Sequence, residues 1–200
     1  MNISGLSNKL ISKAFCKLAS FRRSEDGVAA LEFAIIAPLL ILLFIGTIEV
    51  SQAVSVDRKV SRVSSIVADQ VTQMPDEVTA AWLDAMFEVS SHVMFPHEND
   101  IQIVVSGLQV TSGQAKVVWS RAFGQGATKL ATGATYTVPS DITTNDDFLV
   151  AAKVTKAHKP MVSFMSYADG QLVTDGTAIN LSEEMFLRPR RATAQTCNGC

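Results

Sequence analysis

A chain of 200 residues, 48% of them hydrophobic, has room for one domain with a modest core beside a membrane-spanning segment. Its net charge of −2 conceals an asymmetry. Residues 1–27 hold five basic and two acidic side chains, whereas the remainder of the chain holds 12 basic and 17 acidic side chains. This acidic remainder lacks the clustered positive charge that nucleic acids require, so we exclude nucleic acid as a partner.

The uncharged stretch Phe33–Ile48 is the first predicted element, and it is bounded by Glu32 and Glu49. At ~1.5 Å rise per residue it spans about 24 Å, so its flanks must help to cross a bilayer core of about 30 Å. We predict a membrane-spanning helix over residues 28–56, with both glutamates close to the boundaries of the hydrocarbon. Pro38 removes one backbone donor, which predicts a kink or a locally loosened helix.

The basic residues before the span predict its orientation. Residues 1–27 carry an excess of three positive charges, and positively charged flanks stay in the cytoplasm. We therefore expect a single-pass inner-membrane protein with a cytoplasmic N-terminus and a periplasmic C-terminal domain. Cys16 would then stay reduced, whereas Cys197 and Cys200 would lie in an oxidising compartment.

A glutamate follows a glycine by five residues at the start of the span, in the run Gly27-Val28-Ala29-Ala30-Leu31-Glu32-Phe33. This arrangement resembles the processing site of type IV prepilins. Together with Ala37-Pro38-Leu39-Leu40, it makes the stretch Gly27–Val54 similar to the TadE/TadF-like minor pseudopilins of the tight-adherence (Flp) pilus system. Three later segments are similar to the last strands of the same family: Phe148–Val154, His158-Lys159-Pro160 and Phe186–Arg191.

The resemblance implies how this segment is processed and what it meets. A membrane aspartyl peptidase, the prepilin peptidase, would cut between Gly27 and Val28 and leave Glu32 as the fifth residue of the mature chain. The implied partners are other pilus subunits and pseudopilins, the inner-membrane pilus platform and membrane lipid. The implied role is structural, without a catalytic residue, cofactor or metal site of the chain's own.

The charge of Glu32 needs a physical reason at its depth in the membrane. A charge placed deeper in lipid costs about 2.5–3.5 kcal/mol on insertion scales. Cleavage would create a cationic α-amino group on Val28 at a similar depth, and pairing that amine with Glu32 of a neighbouring subunit would reduce both penalties. A glutamate that reaches the cytoplasmic headgroups is the alternative.

A secretory signal peptide is a competing interpretation of the first 53 residues. Ser51-Gln52-Ala53 has the small residues of a cleavage site, which would release a secreted protein that begins at Val54. The long basic region and Glu49 fit such a signal poorly, and a helical pattern continues through the site.

Apolar residues at spacings of three and four form one stripe beyond the span: Ala53, Val56, Val60, Val63, Val67, Val71 and Met74. No Gly or Pro stands within residues 47–74, so we predict one continuous helix from about Val28 to Gln73. Ser64 is predicted on the opposite, polar side. The stripe needs cover from a sheet or from a neighbouring subunit.

A second helix is predicted to begin at Pro75-Asp76-Glu77, because proline and acidic residues suit a first turn. Pro96 predicts its end. Four apolar residues predict its buried stripe: Trp82, Met86, Val89 and Val93. His92 and His97 have no spacing typical of metal ligands, so we predict a solvated turn there.

From Ile101 onwards the apolar period changes to two, which predicts strands. Ser112-Gly113-Gln114 predicts a hairpin turn, and residues 124–135 predict a loop. After an acidic turn over Ser140–Asp147, residues 148–156 predict a strand that is partly buried on both faces. Residues 160–165 are its candidate partner.

Two features near the end of the sequence leave alternatives open. Cys197 and Cys200 flank an Asn-Gly turn, and we prefer a small disulfide between them to a pair of free thiols. Arg188, Arg190 and Arg191 predict either an exposed cationic spot, which would dock on anionic lipid or an acidic subunit face, or a merely solubilising segment.

These elements predict an α+β, pilin-like fold with a long N-terminal membrane-spanning helix, a second helix and an antiparallel sheet of three to five strands. The predicted divisions are a leader (1–27), a transmembrane helix (28–56), a helical stalk (57–95) and a periplasmic α+β region (96–200). We expect a minor pseudopilin in pilus assembly or initiation. A single-pass periplasmic enzyme or binding module is the second hypothesis, and a secreted protein cleaved after Ala53 is the third.

Overall fold

The computed structural model describes residues 26–142, 147–160, 166–168, 171–173 and 178–200. Three expectations lie outside the described residues: the basic leader with Cys16, part of the acidic turn, and most of the candidate strand over residues 160–165. The chain divides into two compact units, Met1–Ile48 and Glu49–Cys200.

Helix α1 (Asp26–Thr72) is continuous through Pro38 and differs from the predicted helix by only one or two residues at each end. In the first unit its apolar side chains are exposed. In the second unit the predicted valine stripe is buried: Val56, Val60, Val63, Val67 and Val71. Ser64, predicted on the polar side, is buried as well, and its hydroxyl donates to the carbonyl oxygen of Ser61 at 3.2 Å. This local bond satisfies the hydroxyl, so the serine is tolerated in the interior.

The predicted start of the second helix is wrong. Strand β1 (Glu77–Thr79) occupies its first turn, and helix α2 (Ala80–Ser91) begins only after Thr79, whose side chain accepts from the backbone N–H of Trp82. Val78 lies fully buried at the centre of β1. The proline and the two acidic residues alone suggested a helical turn. Burial of Val78 instead favours an extended segment here.

The buried stripe of α2 is shifted by one position from the predicted one. Leu83 and Phe87 are fully buried, followed by Met94 in a short 3₁₀ turn, His92–Met94. Val89 is 70% exposed, which corrects the prediction, while three predicted residues pack at the margin of the core: Trp82, Met86 and Val93. This helix carries two neighbouring apolar rows, one with Trp82 and Met86 and one with Leu83 and Phe87. The sheet packs on the second row, which is therefore the buried one.

Eight further strands follow in the described residues: β2 (Ile101–Thr111), β3 (Gln114–Phe123), β4 (Thr135–Tyr136), β5 (Phe148–His158), β6 (Ser166–Ala168), β7 (Gln171–Val173), β8 (Ile179–Leu187) and β9 (Thr196–Asn198). Five form an antiparallel sheet in the order β4-β3-β2-β5-β8, while β6 pairs with β7 and β1 pairs in parallel with β9. The predicted α+β architecture is confirmed.

The predicted hairpin joins β2 to β3 through a two-residue turn. Ser112 and Gly113 both have positive φ, 54° and 76°, and Thr111 pairs with Gln114. Such turns match the right-handed twist of the strands they connect. The turn prediction is confirmed.

The sheet carries a core on each face. On one face, α1 and α2 pack against β2 and β5, so the second helix and the sheet cover the valine stripe. On the other face, the segment between β3 and β5 packs over a smaller cluster that includes Leu108, Val117 and Leu149. The first five residues of β5, Phe148–Ala152, are therefore all buried, as the prediction of burial on both faces requires.

Candidate functional sites

The predicted processing site lies in the first turn of α1. Gly27 is exposed with open space where a side chain would begin, and Val28 is exposed beside it. The first N–H groups of a helix have no partner within the helix, so this turn opens more readily than those that follow. The Gly27–Val28 bond is therefore accessible in the described structure.

Glu32 lies one helical turn beyond Val28 and is also exposed. Residues four apart share one face of a helix. The carboxylate of Glu32 thus lies on the same face of α1 as Val28.

The span itself presents an apolar surface on all its sides. Leu31, Phe33, Leu39, Leu43 and Phe44 are among the exposed large side chains, and the most apolar window of this helix has no buried residue. Water would make such a surface an aggregation hazard, so it requires lipid or another apolar partner. Thr47 donates its hydroxyl to the carbonyl oxygen of Leu43 at 2.8 Å, so this polar group has a partner within the apolar helix.

The end of α1 is closed by Gln195, which sequence reasoning did not identify. The Nε2 amide of Gln195 donates to the carbonyl oxygens of Val71 at 3.0 Å and Met74 at 2.9 Å, with a longer contact of 3.4 Å to Pro75. The last carbonyls of a helix have no partner within it, so this buried side chain acts as a cap. Nothing local in the sequence marks a glutamine more than 120 residues away for this role.

Two of the three arginines in the predicted cationic spot form ion pairs within the chain. Arg188 binds Asp147 and Arg190 binds Asp69, each with a nitrogen–oxygen distance of 2.6 Å. The backbone N–H of Arg190 also donates to the carbonyl oxygen of Thr72 at 2.9 Å. These residues attach the segment after β8 to the end of α1 and to the loop before β5, so a purely solubilising role does not describe them.

The sulfur atoms of Cys197 and Cys200 lie within bonding distance, and the Cα atoms of the two residues are 5.7 Å apart. Cys197 lies in β9 opposite Val78, and Gly199 adopts a positive φ of 82° in the turn between the cysteines. The geometry suits the preferred sequence interpretation, while the redox state in the cell stays a prediction.

Asp84 and Arg121 connect α2 to β3 through two hydrogen bonds. Arg121 donates from Nε to Oδ1 at 3.0 Å and from Nη2 to Oδ2 at 2.6 Å. The hydrogen bond from Arg121 lowers the pKa of Asp84 against a weaker opposing effect of burial. This bidentate pair links the helix to the sheet at the margin of the apolar core.

A group of basic residues lies where α1, β5 and the loop after the 3₁₀ turn meet. Lys59 donates from Nζ to the carbonyl oxygen of Phe95 at 2.7 Å, and the amine of Lys156 donates to the carbonyl oxygen of Asn99. Burial lowers the pKa of Lys156, which is only 6% exposed. Burial and the positive charges of neighbouring side chains, Lys59 first among them, lower the pKa of His97.

The two histidines of the predicted solvated turn, His92 and His97, have different surroundings. His92 lies 3.1 Å from the carboxylate of Glu98 and is exposed. Within the ranges that the structure describes, no group of three or more His, Cys, Asp or Glu residues is placed to hold a metal ion.

An open cavity of about 510 Å³ lies on the outer face of the sheet, between the strands and the loop before β4. Its lining includes Lys153, Tyr136 and Glu184. The Tyr136 hydroxyl donates to the Glu184 carboxylate, and burial raises the pKa of Tyr136 well above its usual value. The phenol therefore stays a neutral donor that attaches β4 to β8 across this face.

The long apolar helix and the α+β unit are consistent with a protein held by one membrane pass. A family model described as TadE-like protein matches residues 27–69, which confirms the resemblance found over Gly27–Val54 and is consistent with a TadE-like protein of the tight-adherence pilus system. The similar segments after residue 147 lie outside this match, so their resemblance stays a prediction. That family has structural and assembly roles in pilus systems. Searches of curated proteins and of solved structures gave no significant match.

Proposed function

We propose that this protein is a minor pseudopilin that takes part in the assembly or initiation of tight-adherence pili. Residues 28–56 anchor it in the inner membrane, with residues 1–27 in the cytoplasm and the stalk (57–95) and α+β region (96–200) in the periplasm. The observation that carries the proposal is the TadE-like match over residues 27–69, which covers the exposed apolar part of α1, residues 27–48, where no residue is buried.

Processing by a prepilin peptidase is the first part of this proposal. The family match begins at Gly27, and the Gly27–Val28 bond lies in an exposed first turn. N-terminal sequencing of the protein extracted from membranes should begin Val-Ala-Ala-Leu-Glu. Gly27→Leu should retain the leader, because the peptidase then meets a large side chain where the glycine stood. Gly46→Leu, a matched change further along the same exposed helix, should be cleaved normally.

The same experiment separates the competing functions. A mature chain that begins at Val54 would establish the secreted protein cleaved after Ala53. A chain that keeps its leader in cells with an active prepilin peptidase would contradict the pseudopilin and leave the single-pass binding module.

Pairing of Glu32 with the Val28 amine is the second part of the proposal. Glu32→Gln should leave cleavage intact but lower crosslinking to other pilus subunits and the platform, because the amine loses its counter-charge in lipid. Glu32→Lys should lower it further, since two cations would then meet. Glu49→Gln, which neutralises the acid at the other boundary of the span, is the matched control. Wild-type crosslinking by Glu32→Lys would show that Glu32 is only a boundary residue.

Oxidation of Cys197 and Cys200 to each other is the third part. The two residues lie at disulfide geometry, and the proposed periplasmic location supplies an oxidising environment. Thiol labelling of rapidly quenched cells, read by mass spectrometry of the mature chain, should find both cysteines blocked. Labelling of both cysteines would contradict the disulfide.

A further inference from the structure

One end of the second unit combines an exposed aromatic ring with basic side chains. Phe95 is 69% exposed, and Pro96 beside it is exposed too. The bond from Lys59 Nζ to the Phe95 carbonyl oxygen holds this loop against α1. We name the residues 57–62, 95–100 and 156–159 the basic end.

The charge of the basic end differs in sign from that of the unit as a whole. Its three segments carry an excess of two positive charges with histidine neutral, although the chain after residue 27 is acidic. Of its three acids, Glu98 faces His92 at 3.1 Å, Asp100 attracts the buried Lys156, and Asp57 is exposed. Arg58 and Lys159 are exposed cations of the basic end.

The position of the basic end along the chain limits what it can meet. Glu49 is the first residue of the second unit and directly follows the uncharged stretch. Lys59 lies ten residues further along the same helix, which corresponds to about 15 Å of rise. The hairpin turn at Ser112-Gly113 lies at the other end of β2, roughly 35 Å of strand away from Ile101. Within the second unit, the basic end thus lies about 15 Å along α1 from Glu49, at the end of β2 opposite the hairpin turn.

We propose that the basic end docks on the anionic headgroups of the bilayer in which residues 28–56 are anchored. Phe95 enters the interfacial region, where aromatic rings combine apolar burial with contact to polar groups, and Arg58 and Lys159 face lipid phosphates. Lys59 is a positioning residue, because its amine holds the loop that carries Phe95. The proposal rests on the membrane anchor and not on the role in pilus assembly.

The test measures how strongly brominated lipid quenches the fluorescence of a tryptophan placed at position 95. The full chain with Trp82→Phe and Phe95→Trp is reconstituted in nanodiscs of phosphatidylcholine, with or without phosphatidylglycerol, whose acyl chains are brominated. The chain with Trp82→Phe alone gives the background fluorescence of Trp119, which is buried. We expect quenching at position 95 in the anionic discs and clearly less in phosphatidylcholine alone.

Charge variants make the measurement specific. Arg58→Gln and Lys159→Gln should each lower the ratio of docked to undocked protein roughly fivefold, as expected for about 1 kcal/mol per basic residue near an anionic surface. Lys116→Gln, which removes an exposed cation next to the hairpin turn, should have no effect. Val89→Trp in the Trp82→Phe background, an equally exposed site on α2, should not be quenched.

Three results would overturn the proposal. Equal quenching in both lipid compositions would remove the role of anionic headgroups. Quenching at position 89 as strong as at position 95 would place a different surface on the bilayer. An effect of Lys116→Gln equal to that of Lys159→Gln would show that only net charge matters. Every readout measures contact with lipid, so these outcomes do not depend on whether the protein acts in pilus assembly.

Discussion

The indole nitrogen of Trp119 donates a hydrogen bond to the backbone carbonyl oxygen of Gln195, 2.9 Å away and 76 residues later in the chain. The space for the indole exists because residue 107, on the neighbouring strand, is a glycine. A Cβ added to Gly107 would lie 2.3 Å from Trp119 Nε1. The bond therefore links the centre of the sheet to the segment whose glutamine side chain caps α1.

Gln195→Ala should destabilise the protein by about 1–3 kcal/mol, because the carbonyl oxygens at the end of α1 lose a buried donor. Urea unfolding of the detergent-solubilised chain, followed by near-ultraviolet circular dichroism, measures the difference. Thr193→Ala, an exposed change two residues earlier, is the control and should shift the free energy of unfolding by less than about 0.5 kcal/mol. Equal stability of the two variants would contradict the capping role.

Gly107→Ala should destabilise by about 1–3 kcal/mol, because the added methyl group meets the indole of Trp119 and the ring of Phe148 in a closed interior. Trp119→Phe removes part of the clash and should lower the additional cost of the alanine. A double-mutant cycle measures this coupling. Additive effects of the two changes would show that the glycine serves some purpose other than space for the indole.

The Asp84–Arg121 pair should contribute to stability in a defined pH range. The folded-state pKa of Asp84 lies below its ordinary value of 3.8, so its contribution is present above that pH and is lost as the pH falls through the folded pKa. Both groups are partly exposed, which limits the contribution to about 1 kcal/mol or less. Carboxyl NMR titration should find the pKa of Asp84 low, and Arg121→Gln should return it towards its ordinary value. An unchanged pKa in that variant would exclude Arg121 as the cause.

Lys156 should make stability rise with pH in the alkaline range. Its folded-state pKa is lowered from 10.5, mainly by burial, so the unfolded chain binds more protons between the folded pKa and 10.5. The difference in stability between wild type and Lys156→Met should therefore increase with pH across this window. Lys153→Met, an exposed lysine on the same strand, is the matched control and should show no such trend. A flat difference for Lys156→Met would mean that its charge is not penalised by burial.

Local patterns in the sequence were sufficient for the long helix, the hairpin and the alternation of the main strands. The valine stripe of α1 repeats at helical spacing, and Ser112-Gly113 supplies a residue that tolerates positive φ, so neighbouring residues alone determine these elements. The span, the TadE-like resemblance and the positions of Gly27 and Glu32 also came from contiguous residues.

Only the tertiary structure decided where α2 begins and how α1 ends. Residues 77–79 are extended because they pair with β9 around a buried valine, and α1 is capped by Gln195 from near the other end of the sequence. Both depend on contacts between residues about 120 positions apart. Hydrophobic periodicity reports which side of an element is buried, but it carries no information about which distant segment arrives to supply a backbone partner or a buried amide.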